Sequence, residues 1–510
     1  MQDPVTRKVA VIGAGMSGVL SAAHLQRVGL RVTVFERNQQ VGGIWLYCKD
    51  AAIEPEYPCS NPSHIERIGW DKRSGKIRQR ILHAPPGSAM SPERALPKTV
   101  LMMPRPCYDN LATNIATPLV QTTLNPWPKD TPDFVHHCKV KEYVQETSER
   151  IGMRKVTVFG AYVTNVYKHG PKWNVNWKVL QDRAETGELV EICHHEVFDA
   201  VVVASGHYDA PRIPDIPGLV EAKAGWPARV LHSKSFRNGA RFEGQNVLLV
   251  GGGVSSTDIA REISDSAQTI YQSTRNGSFD MPASKLPANA SRVSEVVAIG
   301  TTPPDSPAPT DSPFTIYLKC NRVLHGIDAI VFCTGYHVTV PFLPQYHNHS
   351  ITPQQADDKV LITDGSQVHN LHQDIFYMPD PTLAFVGIPI FNTTFSLFEF
   401  QAIAVAAFLS GIARLPSMDV LRVEYDDRVR LKGYGRRFHI LGDEEESYVS
   451  RLINWVNGGR SSRGLPLING HTEAWKEAKQ QVDLEILKLR ALKVAESSKE
   501  QTFAQSAGSH

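Results

Sequence analysis

The sequence predicts an α/β fold built on one structural unit that occurs twice, near the N-terminus and again in the middle of the chain. Residues 8–36 run as a short apolar strand, a glycine turn, a helix and a second strand. Residues 246–275 repeat this order of strand, glycine turn, helix and strand. The proline-rich stretch 211–218 separates the two units and is typical of a linker. These observations predict two Rossmann-like domains, with the second inserted into the first.

The order of the remaining segments sets the expected domain boundaries. Residues Thr301–Pro313 are rich in Ser, Pro and Thr and predict a surface insertion. The apolar stretch Ala329–Phe332 predicts a strand with which the chain returns to the first domain. The expected divisions are residues 1–212 (first domain, first part), 213–327 (inserted domain), 328–470 (first domain, second part) and 471–510 (C-terminal helix and tail).

Composition excludes several classes of function. Hydrophobic residues make up 42% of the chain and the formal net charge is +2, so neither a disordered chain nor a nucleic-acid-binding protein is expected. The seven cysteines form no C-x-x-C pair, which argues against a disulfide framework, a dithiol reductase and a metal site. No apolar run approaches the roughly 18 residues of a membrane span. We therefore expect a cytoplasmic protein without a metal, for which a homodimer stays open.

The glycine turn of the first unit carries the pattern G-x-G-x-x-G. Gly13 permits the tight turn, Gly15 lets a pyrophosphate approach the backbone, and Gly18 allows the helix to pack closely on the strand. The helix N-terminus directs its unpaired N–H groups toward the phosphates. Glu36 ends the next strand, where its carboxylate can accept both hydroxyls of a ribose. This context predicts an FAD site formed by Gly13, Gly15, Met16, Ser17, Gly18, Glu36 and Arg37.

The second unit differs from the first in two places. Ser256 replaces the third glycine and is still small enough for the helix to pack on the strand. When the two units are aligned at their glycine turns, Thr274 takes the place of Glu36, and Arg275 follows. A carboxylate repels a 2′-phosphate, whereas a guanidinium binds one. The second unit therefore predicts an NADP site formed by Gly251, Gly253, Ser255, Ser256, Ser273, Thr274 and Arg275.

Several further segments resemble those of the flavin-containing monooxygenase family, in the same order along the chain. Gly42–Trp45 resembles the family's G-G-x-W segment, which lies along FAD and here includes Gly43 and Trp45. Leu111–Asn114 resembles its L-x-T-N segment, whose Asn reaches the flavin. The similarity extends to about residue 455 and is greatest with the fungal members. The other similar segments are 203–218, 273–275, 328–336, 381–387 and 398–401.

The resemblance implies an FAD- and NADPH-dependent monooxygenase. In this family, reduced FAD and O2 form a C4a-hydroperoxyflavin that transfers oxygen to the nitrogen or sulfur of a small nucleophile. The implied substrate is an amine, a hydroxylamine or a thioether, here of fungal secondary metabolism. Asn114 is implied to position the oxygenating flavin through its amide. The remaining implied cofactor contacts are Thr113, Val163, Thr334, Gly335 and Gln401.

One family motif is only partly matched and leaves alternatives open. The pattern F-x-G-x-x-x-H-x-x-x-F/Y is represented by Trp226, Ala228, His232 and Phe236. His232 is given no proton-transfer role, because a single histidine is more often structural. Phe236 counts against a Baeyer–Villiger oxygenase, whose motif ends in Trp, but oxygenation of a ketone stays the main alternative. A substrate-restricted N-hydroxylase and a flavin-binding interaction protein without turnover are the others. The loops of residues 50–130 and 277–320 are expected to shape access to the site.

Overall fold

The computed structural model describes residues 6–63, 81–83, 104–183, 188–302 and 313–507. Most of the predicted insertion Thr301–Pro313 and a large part of the predicted loop region 50–130 therefore lie outside the described residues.

The described chain contains many short strands and a smaller number of α-helices. The strands are β1 (Lys8–Ile12), β2 (Arg31–Glu36), β3 (Ile81–His83), β4 (Thr157–Phe159), β5 (Tyr162–His169), β6 (Lys172–Arg183), β7 (Glu188–Phe198), β8 (Ala200–Val203), β9 (Ala210–Pro211), β10 (Val230–His232), β11 (Asn246–Val250), β12 (Thr269–Ser273), β13 (Ala290–Val293), β14 (Val296–Thr301), β15 (Phe314–Leu318), β16 (Val323–Ile327), β17 (Ala329–Phe332), β18 (Tyr336–His337), β19 (Leu371–His372), β20 (Phe376–Tyr377) and β21 (Leu383–Phe385). The α-helices are α1 (Met16–Arg27), α2 (His137–Arg150), α3 (Leu219–Gly225), α4 (Val254–Glu262), α5 (Phe395–Leu409), α6 (Met418–Lys432), α7 (Glu445–Ser461) and α8 (Glu473–Ala507).

The first predicted unit lies in the largest described sheet, whose strands are ordered β19-β20-β21-β8-β1-β2-β4. β1 is parallel to β2 on one side and to β8 on the other, with Val11 opposite both Val34 and Val202. β1 and β8 are apolar and buried almost throughout, as expected for parallel strands covered on both faces. The predicted helix is confirmed as α1, and it ends just before Gly29, which has a φ of 83°. The carboxyl ends of these strands therefore share one edge of the sheet.

The second predicted unit lies in a parallel sheet with the described order β10-β17-β11-β12-β13. The strand Ala329–Phe332, β17, belongs to this sheet, because Ile330 pairs with Val230 of β10 and with Leu248 of β11. The expectation that this strand returns the chain to the first domain at residue 328 is therefore wrong. The chain returns beyond β18 and supplies β19, β20 and β21 to the first sheet.

The two chain segments that connect these sheets lie side by side. β9 enters the predicted linker and pairs in antiparallel fashion with β18 on the returning segment. The Arg212 N–H extends this pairing by donating to the Gly335 carbonyl at 2.9 Å. The outgoing and returning segments therefore form one short ribbon between the two sheets. The first of these sheets is mixed, because β20 is antiparallel to both β19 and β21.

Antiparallel pairing builds the smaller sheets. β5 and β6 join β7 and β3 in a sheet ordered β3-β7-β6-β5. The sequence does not reveal the length of β7, because charged and histidine residues interrupt its apolar pattern. β14, β15 and β16 form a separate antiparallel sheet.

Helix α5 is buried along nearly its whole length and packs against α1, as its apolar sequence predicts. A hydrogen bond joins the two helices, with 3.2 Å between His24 Nε2 and Glu399 Oε1. The C-terminal helix α8 is anchored through Trp475, whose Nε1–H donates to Ser396 Oγ at 3.2 Å. None of the helices in the described part of the chain has the length and apolar character needed to cross a bilayer.

Candidate functional site

The glycine turn between β1 and α1 has no room for side chains at two of its three glycines. Gly13 has a φ of 106°, and a Cβ there would lie 2.5 Å from the Ala204 carbonyl oxygen, just beyond β8. A Cβ at Gly18 would lie 1.9 Å from the Gly13 oxygen. Both neighbours are backbone atoms that cannot move aside. Gly13 and Gly18 are thus required by the protein's own packing.

Gly15 is the exception in this turn. A Cβ there would meet Gly43 Cα at 3.5 Å, which is an ordinary contact, so the fold itself tolerates a small side chain. Gly15 also caps α1, and no side chain of the described residues caps that helix end. The first-turn N–H groups of α1 are therefore available to an anion, which fits the pyrophosphate of a dinucleotide. Gly43 belongs to the G-G-x-W segment, which the structure places on this turn with Trp45 half-buried beside it.

A third segment closes on the same turn from β21. A Cβ at Gly387 would lie 2.5 Å from Ser17 Oγ, while Met16 points into the core. Gln401 is fully buried: its Oε1 accepts from Gly387 N–H at 2.9 Å and its Nε2 donates to Tyr448 OH at 2.9 Å. The resemblance implies that Gln401 contacts the cofactor, but its amide is bonded to protein groups on both sides. Its contribution to the site runs through the position of Gly387, which sequence reasoning did not single out.

Glu36 is buried at the end of β2 and faces the glycine turn. Its Oε2 accepts from Ala14 N–H at 2.7 Å and its Oε1 accepts from Asn38 N–H at 2.8 Å. Each carboxylate oxygen retains acceptor capacity after one such bond, so the group can still receive ribose hydroxyls. The Ala161 N–H donates to the Glu36 carbonyl just before β5 begins. Val163 lies near the start of β5 and is half-buried. Glu36 therefore stands where the sequence predicts it.

Arg37 is part of a cluster of charged side chains that links the sheets of the two units. Its Nη1 lies 3.0 Å from Asp209 Oδ2, and Lys234 Nζ lies 2.7 Å from Asp209 Oδ1. Arg105 approaches the same carboxylate at 3.8 Å. Burial alone would raise the pKa of Asp209, but the three cations outweigh it and hold that pKa well below its usual range. The sequence predicts Arg37 at the cofactor, whereas the structure ties its guanidinium to this ion cluster.

The second glycine turn repeats the geometry of the first. Gly251 has a φ of 121°, and a Cβ there would lie 2.6 Å from the Cys333 oxygen, just beyond β17. Gly253 caps α4, again without a side-chain cap from the described residues, and a Cβ there would lie no closer than 3.8 Å to its nearest neighbour. The second turn thus also offers helix N–H groups and open space to a pyrophosphate.

Ser256 adapts to the glycine position that it occupies. Its hydroxyl is fully buried, donates to the Gly253 carbonyl at 2.9 Å and accepts from Gln272 Nε2 at 2.8 Å. Ser255, in contrast, is exposed at the start of α4. The replacement of the third glycine is compensated by these bonds, which fix α4 against β12.

The three residues that end β12 have different surroundings. Ser273 is buried and donates to the Ser294 carbonyl at 2.9 Å, while the Arg275 side chain is 80% exposed, with its Nε 3.9 Å from Glu295 Oε1. Thr274 is buried, and its hydroxyl donates to the carboxylate of Asp280. Sequence alignment of the two units places only a neutral hydroxyl and a cation at this point. It misses Asp280, which reaches the site through a loop of no recognisable motif.

Thr113 and Asn114 lie on a segment that runs along the start of α2. The Thr113 N–H donates to the Val135 carbonyl at 2.9 Å, and its hydroxyl accepts from Val135 N–H at 3.1 Å. The Leu111 carbonyl accepts from His137 N–H at 2.8 Å. Asn114 follows this fixed segment with an exposed side chain. The structure thus makes Thr113 a buried support and leaves the Asn114 amide accessible.

Thr334 and Gly335 lie at the start of the ribbon between the sheets and directly follow Cys333, which lies against Gly251 of the second glycine turn. The Thr334 hydroxyl donates to the Arg212 carbonyl, and the Gly335 carbonyl accepts from His232 Nε2 at 3.1 Å. His232 is fully buried; its Nδ1 accepts from Lys234 N–H at 3.1 Å, and burial lowers its pKa to about 3. These three residues hold the ribbon in place. A neutral histidine bonded at both nitrogens agrees with leaving His232 without a proton-transfer role.

Three adjacent side chains in the described part of the chain could in principle hold a metal. The ligand atoms of His136, His137 and Cys138 lie within 4.8 Å of one another. However, His136 Nδ1 accepts from Cys138 N–H, and its Nε2 lies 2.7 Å from the Asp109 carbonyl oxygen. Both nitrogens of His136 are engaged by the backbone, so this group is explained as the cap of α2.

The loop before α5 is held by a buried carboxyl group. Thr393 donates its N–H to Glu445 Oε2 at 2.9 Å and its hydroxyl to Oε1, and the adjacent Thr394 has a φ of 54°. Phe391 of this loop stacks on Phe279 of the β12–β13 connection, with ring centroids 5.4 Å apart. Burial raises the pKa of Glu445 to about 7, although its bonds to Thr393 oppose this shift.

We expect this carboxyl group to make the folded state less stable as the pH rises. The folded pKa lies above the ordinary value of about 4.3, so the contribution of the neutral form is complete below pH 4 and is lost as the pH rises through about 7. The loss is on the order of 3 kcal/mol. Glu445→Gln removes the charge, while its Oε1 can accept from Thr393 N–H and its Nε2 can donate to the Thr393 hydroxyl. Urea unfolding at pH 5.5 and 8 should show a smaller loss for the variant than for the wild type, and equal losses would contradict the assignment.

Two family models match parts of this chain. Residues 105–286 match the model of the flavin-binding monooxygenase-like family, and residues 11–72 match that of the NAD(P)-binding Rossmann-like domain. The chain is 44% identical to the flavin-containing monooxygenase ustF2 of Aspergillus flavus, over 94% of this chain and 98% of that one. It is 31% identical to the flavin-containing monooxygenase iboF of Amanita muscaria, over 90% of this chain and 89% of that one.

A solved structure shows the same fold over the whole chain. The S-allyl-L-cysteine S-oxygenase of Allium sativum is 26% identical and has a TM-score of 0.66. The match covers 98% of this chain and 99% of that one. The glycine turns, Glu36 and the exposed helix ends fit FAD and NADPH, which are the cofactors of this oxidoreductase. This chain belongs to the flavin-containing monooxygenase family.

Proposed function

We propose that this enzyme uses NADPH and O2 to oxygenate the nitrogen or sulfur of a small nucleophile, namely an amine, a hydroxylamine or a thioether. FAD is held at the turn after β1, and NADPH at the turn after β11. The supporting observation is the exposed Asn114 amide, carried on a segment that the backbone bonds of Thr113 and α2 hold rigidly. A rigid support with an accessible amide is what the positioning of a reacting group requires.

The overall reaction consumes one NADPH, one O2 and one proton. One oxygen atom enters the substrate and the other leaves as water, with NADP⁺ as the second product. Bound flavin supplies the two-electron chemistry that activates O2. The tasks left to the protein are to hold the nucleotides, to orient the reacting groups and to exclude water.

The glycine turns and Glu36 perform the first of these tasks. The helix N-termini at Gly15 and Gly253 take the pyrophosphates, and Glu36 takes the ribose of FAD. Gln401 and Tyr448 hold Gly387 against Ser17 and so support the shape of the turn.

Asn114 orients the reacting groups, and the proposed reaction needs no basic side chain beside it. A soft amine or thioether attacks an electrophilic oxygen with its own lone pair, so no protein base has to remove a proton. The one histidine of the family motif, His232, is neutral and bonded at both nitrogens. The Asn114 amide is a donor that does not titrate, and it therefore acts alike across the neutral pH range.

We expect Asn114→Ala to separate NADPH oxidation from product formation. Flavin reduction should stay within about twofold of the wild type, because Asn114 is not placed at either nucleotide turn. Product yield per NADPH should fall several-fold, with hydrogen peroxide making up the difference, since loss of one positioned donor typically costs about 10²- to 10³-fold in the step it serves. The measurement is the ratio of product to peroxide per NADPH consumed.

Asn110→Ala is the matched control on the same segment. Its side chain donates to Glu262 at 2.9 Å and turns toward α4, so its removal should leave the ratio unchanged. An Asn114→Ala enzyme with wild-type coupling would remove Asn114 from the mechanism.

A substrate panel tests the proposed chemistry directly. The likeness to an S-oxygenase structure supports including thioethers of the cysteine type, beside amines, hydroxylamines and ketones. Product formed from a thioether or an amine, coupled to NADPH oxidation, supports the proposal. Coupled turnover of ketones alone would replace it by Baeyer–Villiger chemistry, and tightly bound FAD without any NADPH oxidation would indicate a binding protein.

A further inference from the structure

The second glycine turn carries a carboxylate that the strand pattern does not predict. Asp280 folds back onto Gly252, the middle residue of the turn, where a Cβ would lie 2.5 Å from Asp280 Cγ. Its Oδ2 accepts from the Thr274 hydroxyl and from Gly277 N–H, the latter at 2.8 Å. The Met281 N–H donates to the Gly252 carbonyl at 2.8 Å and closes the loop on the turn.

Asp280 lies in the place that corresponds to Glu36 in the first unit. Gly252 corresponds to Ala14, since each follows the first glycine of its turn, and the Ala14 N–H donates to Glu36. In the first unit the carboxylate comes from the end of β2. In the second unit that strand position is Thr274, and the carboxylate is delivered to it by the loop that follows. The two units therefore present a carboxylate to the same part of the turn by different routes.

We propose that Asp280 binds the adenosine ribose of the nicotinamide nucleotide through its hydroxyls and weakens the enzyme's preference for a 2′-phosphate. Its carboxylate accepts ribose hydroxyls well, as Glu36 does in the FAD unit, and repels a dianionic phosphate. Arg275 acts in the opposite direction from the rim of the same site. The enzyme therefore binds NADH as well as NADPH, with a ratio set by these two residues. This inference rests on the assignment of the second turn to NADPH.

The surrounding charges support this opposition. The Arg275 guanidinium is mostly exposed, and its nearest carboxylate is Glu295, which also lies 3.4 Å from Lys319. Asp280 is more enclosed and is fixed by two hydrogen bonds. Arg292 supports the loop by donating to the Met281 carbonyl, and it also donates to Gln272 Oε1 at 2.8 Å. An enclosed, fixed carboxylate is screened less by water and salt than an exposed guanidinium.

Removing the charge of Asp280 should therefore favour the phosphorylated nucleotide. Asp280→Asn keeps the size of the side chain, and its Oδ1, placed where Oδ2 lies in Asp280, can still accept from both Gly277 N–H and the Thr274 hydroxyl. We expect NADP⁺ to bind about tenfold more tightly and NAD⁺ a few-fold more weakly than in the wild type, since one charge-assisted hydrogen bond corresponds to roughly tenfold or more. The ratio of the two affinities should rise by at least about tenfold.

The test is equilibrium titration of the FAD-loaded enzyme, without substrate or O2 consumption. The probes are NADP⁺, NAD⁺, adenosine 2′,5′-bisphosphate and 5′-AMP, and the last two isolate the effect of the 2′-phosphate. Asp265→Asn is the control, because Asp265 is an exposed carboxylate just beyond α4, and it should leave all four constants unchanged. Asp280→Ala is a second variant, which should also raise the ratio even if the looser loop weakens both nucleotides together.

The outcomes separate this inference from the proposed monooxygenation. A wild-type enzyme that binds NAD⁺ within about a hundredfold of NADP⁺, with the ratio raised in both Asp280 variants, supports it. An affinity ratio that changes by less than about twofold in both folded, FAD-loaded variants overturns it. Because nucleotide binding precedes oxygen transfer, a failure of the substrate panel would leave these constants unaffected.

Discussion

The Gly15→Val protein should fold normally and yet purify without its yellow colour. The protein itself leaves room at this glycine, since a Cβ would meet Gly43 Cα at the ordinary distance of 3.5 Å. What the side chain removes is the close approach of the FAD pyrophosphate to the backbone at the start of α1. We expect less than about a tenth of the wild-type flavin content, because even one lost contact of about 1.4 kcal/mol lowers affinity tenfold.

Two other glycines provide controls for this experiment. Gly458 lies in α7, and a Cβ there would have no neighbouring atom within 4 Å, so Gly458→Val should keep full flavin content. Gly18→Val should fail differently, because a Cβ there would lie 1.9 Å from the Gly13 oxygen and the turn itself cannot form. Flavin absorbance relative to protein absorbance, with circular dichroism, distinguishes the two failures. A yellow Gly15→Val protein with normal flavin content would show that FAD binds elsewhere.

The second large effect is expected from Arg275→Ala, which should weaken the use of NADPH by at least about tenfold and leave NADH nearly unchanged. A charge-assisted hydrogen bond to the 2′-phosphate is worth roughly 1.5–3 kcal/mol, and the exposure of Arg275 places the effect near the lower end. The change should appear in KM rather than kcat, because the 2′-phosphate is bound equally before and during hydride transfer. Steady-state kinetics with both nucleotides measure it.

Arg322→Ala is a suitable control, because Arg322 is exposed in the connection between β15 and β16 of the same part of the chain. Its removal changes the net charge equally but should leave the KM for NADPH unchanged. If Arg275→Ala also leaves that KM unchanged, the 2′-phosphate is held by other groups. Combining Arg275→Ala with Asp280→Asn should restore part of the lost affinity, since the two residues act in opposite directions on one phosphate.

The sequence alone was sufficient to find the two glycine turns and the class of fold. A turn that must hold Gly13 or Gly251 at positive φ, a helix that starts directly after it, and an apolar strand before it are all local features. Local features are readable from neighbouring residues, and the parallel strands around both glycine turns follow from them. The family resemblance added Asn114 on the same basis, as a short segment with its own pattern.

Contacts between distant segments were decided only by the tertiary structure. The apolar sequence of Ala329–Phe332 would suit a buried strand in either of the two larger sheets. Only its pairing with β10 and β11 shows to which sheet it belongs. The resemblance implies Gln401 at the cofactor, but the fold buries it behind Gly387. Asp280 meets Gly252 through a loop whose closure no residue pattern encodes. The sequence thus determined the two glycine-turn units and predicts nucleotide binding at both, whereas the charges around each turn depend on chain segments that only folding brings together.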